Sequence, residues 1–161
     1  MDYKRSNYRI DKFLSVLSAL EIEGVEYVLI GGFAVLLHGS PRVTEDLDVF
    51  IRTNENNLNK LRKALRRVFS DESIDEITSP ELKQYAVIRY GTPEDFYIDI
   101  ISNIGEAFTF DDIKSEEIEV DGTKIKIATL ESLYRMKEKT YRAVDQVDLL
   151  FLAEKMRIRN K

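Results

Sequence analysis

Apolar residues recur at the helical period over residues 10–23, where Phe13, Val16, Leu17 and Leu20 share one stripe and Asp11, Lys12 and Glu21 fall elsewhere. Gly24 then ends the predicted helix. Tyr27 to Ile30 is a short, β-rich apolar run that meets Gly31-Gly32 directly, the mark of a buried strand. From Phe33 to His38 the chain stays apolar without strand alternation, which predicts a short helix beginning at the glycines. Its first turn would expose unpaired N–H groups and the positive end of the helix dipole. Gly39-Ser40-Pro41 predicts a loop, because proline restricts both itself and its neighbour. Arg42 to Ile51 then alternates as a strand does, with Arg42, Thr44, Asp46, Asp48 and Phe50 on one face and Val43, Glu45, Leu47, Val49 and Ile51 on the other.

Further along, residues 54–69 predict a helix with Leu58, Leu61, Leu65 and Phe69 inward and Lys60, Arg62, Lys63, Arg66 and Arg67 outward. The basic face reads as solvated surface or, if functional, as a surface for acceptor RNA or a partner. Asp71 to Leu82, polar and carrying Ser79-Pro80, predicts a loop. Gln84–Tyr90 and Phe96–Ser102 predict a hairpin across residues 91–95, and Ile118–Ile127 a second one around Asp121-Gly122. Thr129 is a predicted N-cap for a helix from Leu130 to about Lys139. A last helix, about Ala143 to Met156, is expected to turn Val147, Leu150, Phe151 and Ala153 inward. No internal repeat or linker interrupts the chain, so one domain is expected over residues 1–161, with C-terminal helices over 130–158.

Composition narrows the chemistry. The chain has 161 residues, 43% hydrophobic and 33% charged, as a well-solvated globular protein does. It contains no cysteine, which excludes disulfides and thiolate metal sites, and one histidine, His38, which excludes zinc sites built from several histidines. A Ser-His-Asp triad would rest on His38 alone, and that residue reads instead as a polar helix end. The longest mainly apolar stretch, Val28 to Leu37, is too short for a bilayer, and the N-terminus has no apolar signal core, so a cytoplasmic protein with no membrane partner is expected. A net charge of −5 argues against a whole-surface nucleic-acid binder.

Three acids stand out. Asp46 and Asp48 point to one face of their strand, and Asp99 lies mid-strand between Ile98 and Ile100, where an acid needs a partner or a site. If the two strands are neighbours, three carboxylates converge. Two carboxylates about 5 Å apart repel by roughly 3 kcal/mol at an effective dielectric near 20, a sizeable part of a total stability of roughly 5–15 kcal/mol. Hard divalent cations relieve that repulsion, and carboxylates with water suit Mg²⁺, which takes phosphate oxygens as further ligands. Two such ions can serve one in-line displacement that releases pyrophosphate. Taken singly the features are plainer: a solvated edge strand, a glycine turn, a paired acid. A dehalogenase-like reading of DLDVF fails because SPRVTE precedes it, and a dinucleotide-binding reading fails for want of GxGxxG.

GGFAVLLHGSPRVTEDLDVFI, followed later by YIDI, resembles the nucleotidyltransferase superfamily typified by DNA polymerase beta, and in particular its small bacterial and archaeal branch with the abortive-infection toxin nucleotidyltransferases. MKEKTYRAVDQVDLLFL resembles the same branch through Lys137, Arg142, Asp145 and Asp148, although Tyr141 and Val144 depart from its usual pattern. The resemblance implies an α+β fold of α/β-like character: a mixed, mostly antiparallel sheet flanked by helices. It implies Gly31 and Gly32 at a nucleoside triphosphate, with Asp46, Asp48 and Asp99 as metal ligands and catalytic acids of a two-metal Mg²⁺ site. Asp99 would also help deprotonate the acceptor, and Ser40, Arg42 and Lys137 would be further contacts to the nucleotide. The leading expectation is a nucleotidyltransferase acting on an unknown hydroxyl acceptor, whether RNA, protein or small molecule. The alternative is a nucleotide- or partner-binding module of a toxin-antitoxin-like pair, engaging a protein partner or forming a homodimer; a metal-dependent phosphohydrolase is a third reading.

Overall fold

The structure, a computed structural model, describes residues 3–104, 108–138 and 143–160. Among them, six strands form one open mixed sheet: β1 (Tyr27–Ile30), β2 (Asp46–Ile51), β3 (Val87–Gly91), β4 (Tyr97–Ile101), β5 (Ser115–Val120) and β6 (Thr123–Ala128), in the order β3-β4-β2-β1-β6-β5. The pairs β1/β2, β3/β4 and β5/β6 are antiparallel, while β2/β4 and β1/β6 are parallel. The sheet is thus mixed and mostly antiparallel, in an α+β fold. Six α-helices accompany it: α1 (Tyr3–Ile22), α2 (Gly31–Leu37), α3 (Glu55–Val68), α4 (Ser79–Tyr85), α5 (Leu130–Lys137) and α6 (Ala143–Arg159).

The core follows the apolar periods. All of β1 is buried, as are Leu47, Val49, Phe50 and Ile51 of β2. Phe13 of α1 stands edge-on to Phe33 of α2 and to Phe96, and Phe96 meets Phe69, so rings lock helices to the sheet. Buried Asn57 donates to the carbonyls of Glu26 and Arg52 and accepts from Glu26 N–H, tying α3 to the loops flanking β1 and β2 with its polar atoms satisfied. The β5/β6 turn carries positive φ at Asp121 (48°) and Gly122 (80°), the tight hairpin turn that Asp-Gly favours.

Several boundaries differ from expectation. Residues 71–82 are ordered, not loop: a 3-10 turn spans Glu72–Glu76 under an Asp71 cap, and α4 follows under a Thr78 cap with Pro80 in its first turn. That helix runs to Tyr85 and closes at Ala86 (φ 63°), so β3 starts at Val87 rather than Gln84. β2 begins at Asp46, and Arg42–Glu45 has no regular structure, so Arg42 and Thr44 are not strand-face residues. In α6 the inward face is not the expected one. Val147 and Leu150 are 63% and 75% exposed and Ala153 is exposed, while Asp145, Asp148 and Leu152 are buried; Phe151 alone of the four packs partly against the core. Ion pairs formed by the two acids explain the rotation.

Candidate active site

The end of β1 and the middle of β2 are opposed, with Ile30 paired to Asp48. The next residue, Gly31, has φ +73°, and a Cβ there would overlap Oδ2 of Asp48 and come 2.8 Å from its Cγ. Glycine is required at this position both by backbone conformation and by space. Gly32 is different: a Cβ there would lie 3.1 Å from the guanidinium carbon of Arg42 and from Thr44 Oγ1. The glycine pair therefore lets Asp48 and Arg42 close on the first turn of α2, whose N–H groups have no intrahelical acceptor.

Parallel pairing of β2 with β4 sets Asp48 beside Asp99, and Asp46 beside Tyr97. The three acids therefore share one sheet face, as the spacing requires once the strands are neighbours. Burial first, then the charge of Asp99 and a hydrogen bond with it, then the charge of Asp46 push the Asp48 carboxyl up to about 7, against a counter-pull from Lys137. Oδ1 of Asp99 is buried without a hydrogen-bond donor among the described residues.

Asp46 stands apart from this pair. Arg89, opposite Asp99 in the β3/β4 register, places Nη2 3.1 Å from Asp46 Oδ2 and Nη1 3.5 Å from Asp99 Oδ2. Among the described residues no three acids are gathered tightly enough to hold one ion together. The donor set nevertheless fits a hard divalent cation: all-carboxylate, with an orphaned buried oxygen on Asp99 and an Asp48 whose proton a cation would replace. Sequence reasoning missed Arg89. The predicted hairpin did not supply it: a turn at 91–95 would set Arg89 opposite Tyr97, whereas the turn formed spans 92–96, with Gly91 paired to Tyr97, and so brings Arg89 opposite Asp99.

A buried ion network lies beside the acids. Lys137 Nζ is 3.0 Å from both Asp145 Oδ1 and Asp148 Oδ2, and Arg42 pairs with Asp148 as well. Lys137, Asp145 and Asp148 are each at most 8% exposed, so α5 and α6 are bound by charges that water barely reaches, and the partly exposed Arg42 ties the loop before β2 to them. A cavity of about 150 Å³ separates this network from the sheet; Gly31, Asp48 and Lys137 line it together with Ile101, Leu133 and Met136. Arg142 lies outside the described residues.

Ser40 is not brought to this cluster. It is buried beyond the C-terminal turn of α2, its N–H donating to Val35 O, at the far end of that helix from the glycines. His38 caps the same end and shares a 2.9 Å hydrogen bond with Ala128 O, a tie to β6. The basic face of α3 is partly paired: Lys63 and Arg67 share Glu23, and Arg66 pairs with Asp75.

A family model described as nucleotidyl transferase of unknown function matches residues 9–160. The chain belongs to this family. Nucleotidyl transfer is accordingly its general activity. No curated protein sequence matches the chain. Its fold is similar to that of the lincosamide antibiotic adenylyltransferase LnuA, solved with lincomycin bound, at a TM-score of 0.55 and 16% identity over 89% of this chain and 95% of that one. It is also similar to JHP933 from Helicobacter pylori, at 0.54 and 19% over 94% and 67% of the two chains. A candidate nucleotidyltransferase from Thermotoga maritima, TM1012, matches at 0.52 and 15% over 100% and 97%. At such identities these likenesses establish the fold of the family and not its substrates. No helix among the described residues is long and apolar enough to cross a membrane.

Proposed function

We propose that the protein transfers a nucleoside monophosphate from a nucleoside triphosphate to a hydroxyl acceptor, with Mg²⁺ as cofactor and pyrophosphate as leaving product. The observation that carries this reading is the β2/β4 register, which sets Asp48 and Asp99 side by side over Gly31 at the start of α2. Asp46, Asp48 and Asp99 would hold the metal, which when bound supplies charge neutralisation for the phosphates and the oxygens exchanged at phosphorus. The first turn of α2 offers N–H groups to the triphosphate. Arg42, packed over Gly32, and Lys137, on the wall of the cavity beside Asp48, bring positive charge to the same place. Asp99 accepts the acceptor's proton as its oxygen bonds to the α-phosphorus, and the bond to the bridging oxygen of pyrophosphate breaks.

Each nucleoside triphosphate, labelled at the α-phosphate, should be incubated with protein, Mg²⁺ and separated RNA, protein and small-molecule fractions of a lysate. Label should enter one fraction with wild type and not with Asp48→Asn. Absence of labelling from every nucleotide, together with no nucleotide binding by calorimetry, overturns the proposal. Release of phosphate without an acceptor would instead identify a phosphohydrolase.

A further inference from the structure

Asp46 and Asp99 face not only Asp48 but a cation that the chain itself supplies. Arg89 sits on the edge strand β3, and its guanidinium reaches across β4 to touch both acids, at 3.1 Å and 3.5 Å. Its pose is supported from below: the guanidinium carbon lies 4.1 Å from the centre of the Tyr97 ring. Tyr97 pairs with Gly91, where a Cβ would lie 3.3 Å from the ring, so the aromatic shelf packs closely on that backbone. The Arg89 side chain is 52% exposed, against 34% for Asp46 and 17% for Asp99, which leaves it an open path to swing into water.

We propose that Arg89 is a built-in counter-cation that competes with divalent metal for Asp46 and Asp99, so that a metal completes its ligand set only as Arg89 lets go. The inference rests on the metal-binding role proposed above for the three acids. Guanidinium is permanently charged and has no acceptor atom, so it cannot join a metal's ligand shell and can only exclude or yield to it. Asp46 turned toward Arg89 also explains why the three acids, though on one face, do not close around a point. Arg89 acts here as a positioning residue: it spares Asp46 and Asp99 their mutual repulsion while no metal is present, and it sets the threshold at which metal enters.

The test is a titration of nucleotide-free protein with Mn²⁺, reading free Mn²⁺ by electron paramagnetic resonance, on wild type, Arg89→Ala, Arg89→Gln and Arg89→Lys. Half-exposed ion pairs are weak, so loss of the competing charge should tighten Mn²⁺ binding about fivefold in the Ala and Gln variants. The Lys variant should stay near wild type. Gln keeps most of the stem over Tyr97 and decides the matter if Ala does not fold. Thermal unfolding in EDTA should show both uncharged variants melting below wild type, with the gap closing at saturating Mn²⁺. Unchanged or weaker binding in Ala and Gln, beside a wild type that binds, overturns the inference alone, and so does a Lys variant as tight as Ala. Failure of wild type and every variant to bind Mn²⁺ overturns the metal reading beneath it as well.

Discussion

Gly31 and Gly32 are adjacent, yet their substitutions should differ sharply. At Gly31 an alanine meets two penalties, a left-handed backbone and a clash with the Asp48 carboxylate. Gly31→Ala should lower the urea-unfolding free energy by about 2 kcal/mol or more, of which a left-handed non-glycine residue alone accounts for about 1–2 kcal/mol. Adding Asp48→Ala should recover the clash and leave the backbone cost, which a double-mutant cycle separates. Gly32→Ala meets the Arg42 guanidinium and the Thr44 hydroxyl at 3.1 Å, side-chain ends that need to give only a few tenths of an ångström, and should cost less than about 1 kcal/mol by the same assay. The pattern of glycines and acids was legible in the chain because spacing fixes which side chains share a strand face. Arg89 was not singled out, because a cross-strand partner becomes visible only when the hairpin is closed and its register counted.

At the scale of elements, α6 shows where hydrophobic periodicity misleads. Its apolar residues Val147 and Leu150 invite burial, but the helix instead turns Asp145 and Asp148 inward because Lys137 and Arg42 await them there. Charges supplied by other segments cannot be read from a helix's own period. Val147→Lys and Leu150→Lys should accordingly change stability by no more than about 0.5 kcal/mol, whereas Leu152→Ala, at a fully buried position, should cost about 2–5 kcal/mol. Asp148→Ala takes the acid from Arg42 and one of two from Lys137, which keeps Asp145, and should cost about 3 kcal/mol, somewhat reduced by the partial exposure of Arg42. Denaturant midpoints of the four variants rank the two faces directly; an unstable Leu150→Lys beside a tolerant Leu152→Ala would reverse the assignment. The order in residues 71–85 was missed for a related reason, since polar composition hid two caps, Asp71 and Thr78, that each close a short helix.

For the whole molecule, the topology that assembles the site also stores a pH dependence. β2 lies between β1 and β4, so Asp48 is covered by strands on both sides and by Gly31, and its carboxyl holds a proton up to about 7, against an ordinary 3.8. Folding therefore takes up a proton between those values, and the stabilisation this brings is complete below pH 3.8 and lost as pH rises through 7. Glu23, Asp71, Asp112 and Glu154 act in the opposite sense: each is held below its ordinary value, by Arg67, Ser73, Thr109 and Arg157 respectively, and gives up its contribution as pH falls through that lowered value. Their losses fall at the acid end, so the window from about pH 5 to 8 isolates Asp48. In EDTA, urea unfolding should show wild type losing stability across that window, by an amount on the order of a few kcal/mol, while Asp48→Asn stays nearly flat and exceeds wild type at pH 8. A wild type as flat as the variant would mean that Asp48 is ionised throughout, and the half-buried carboxylate pair would then need a compensating charge other than a proton.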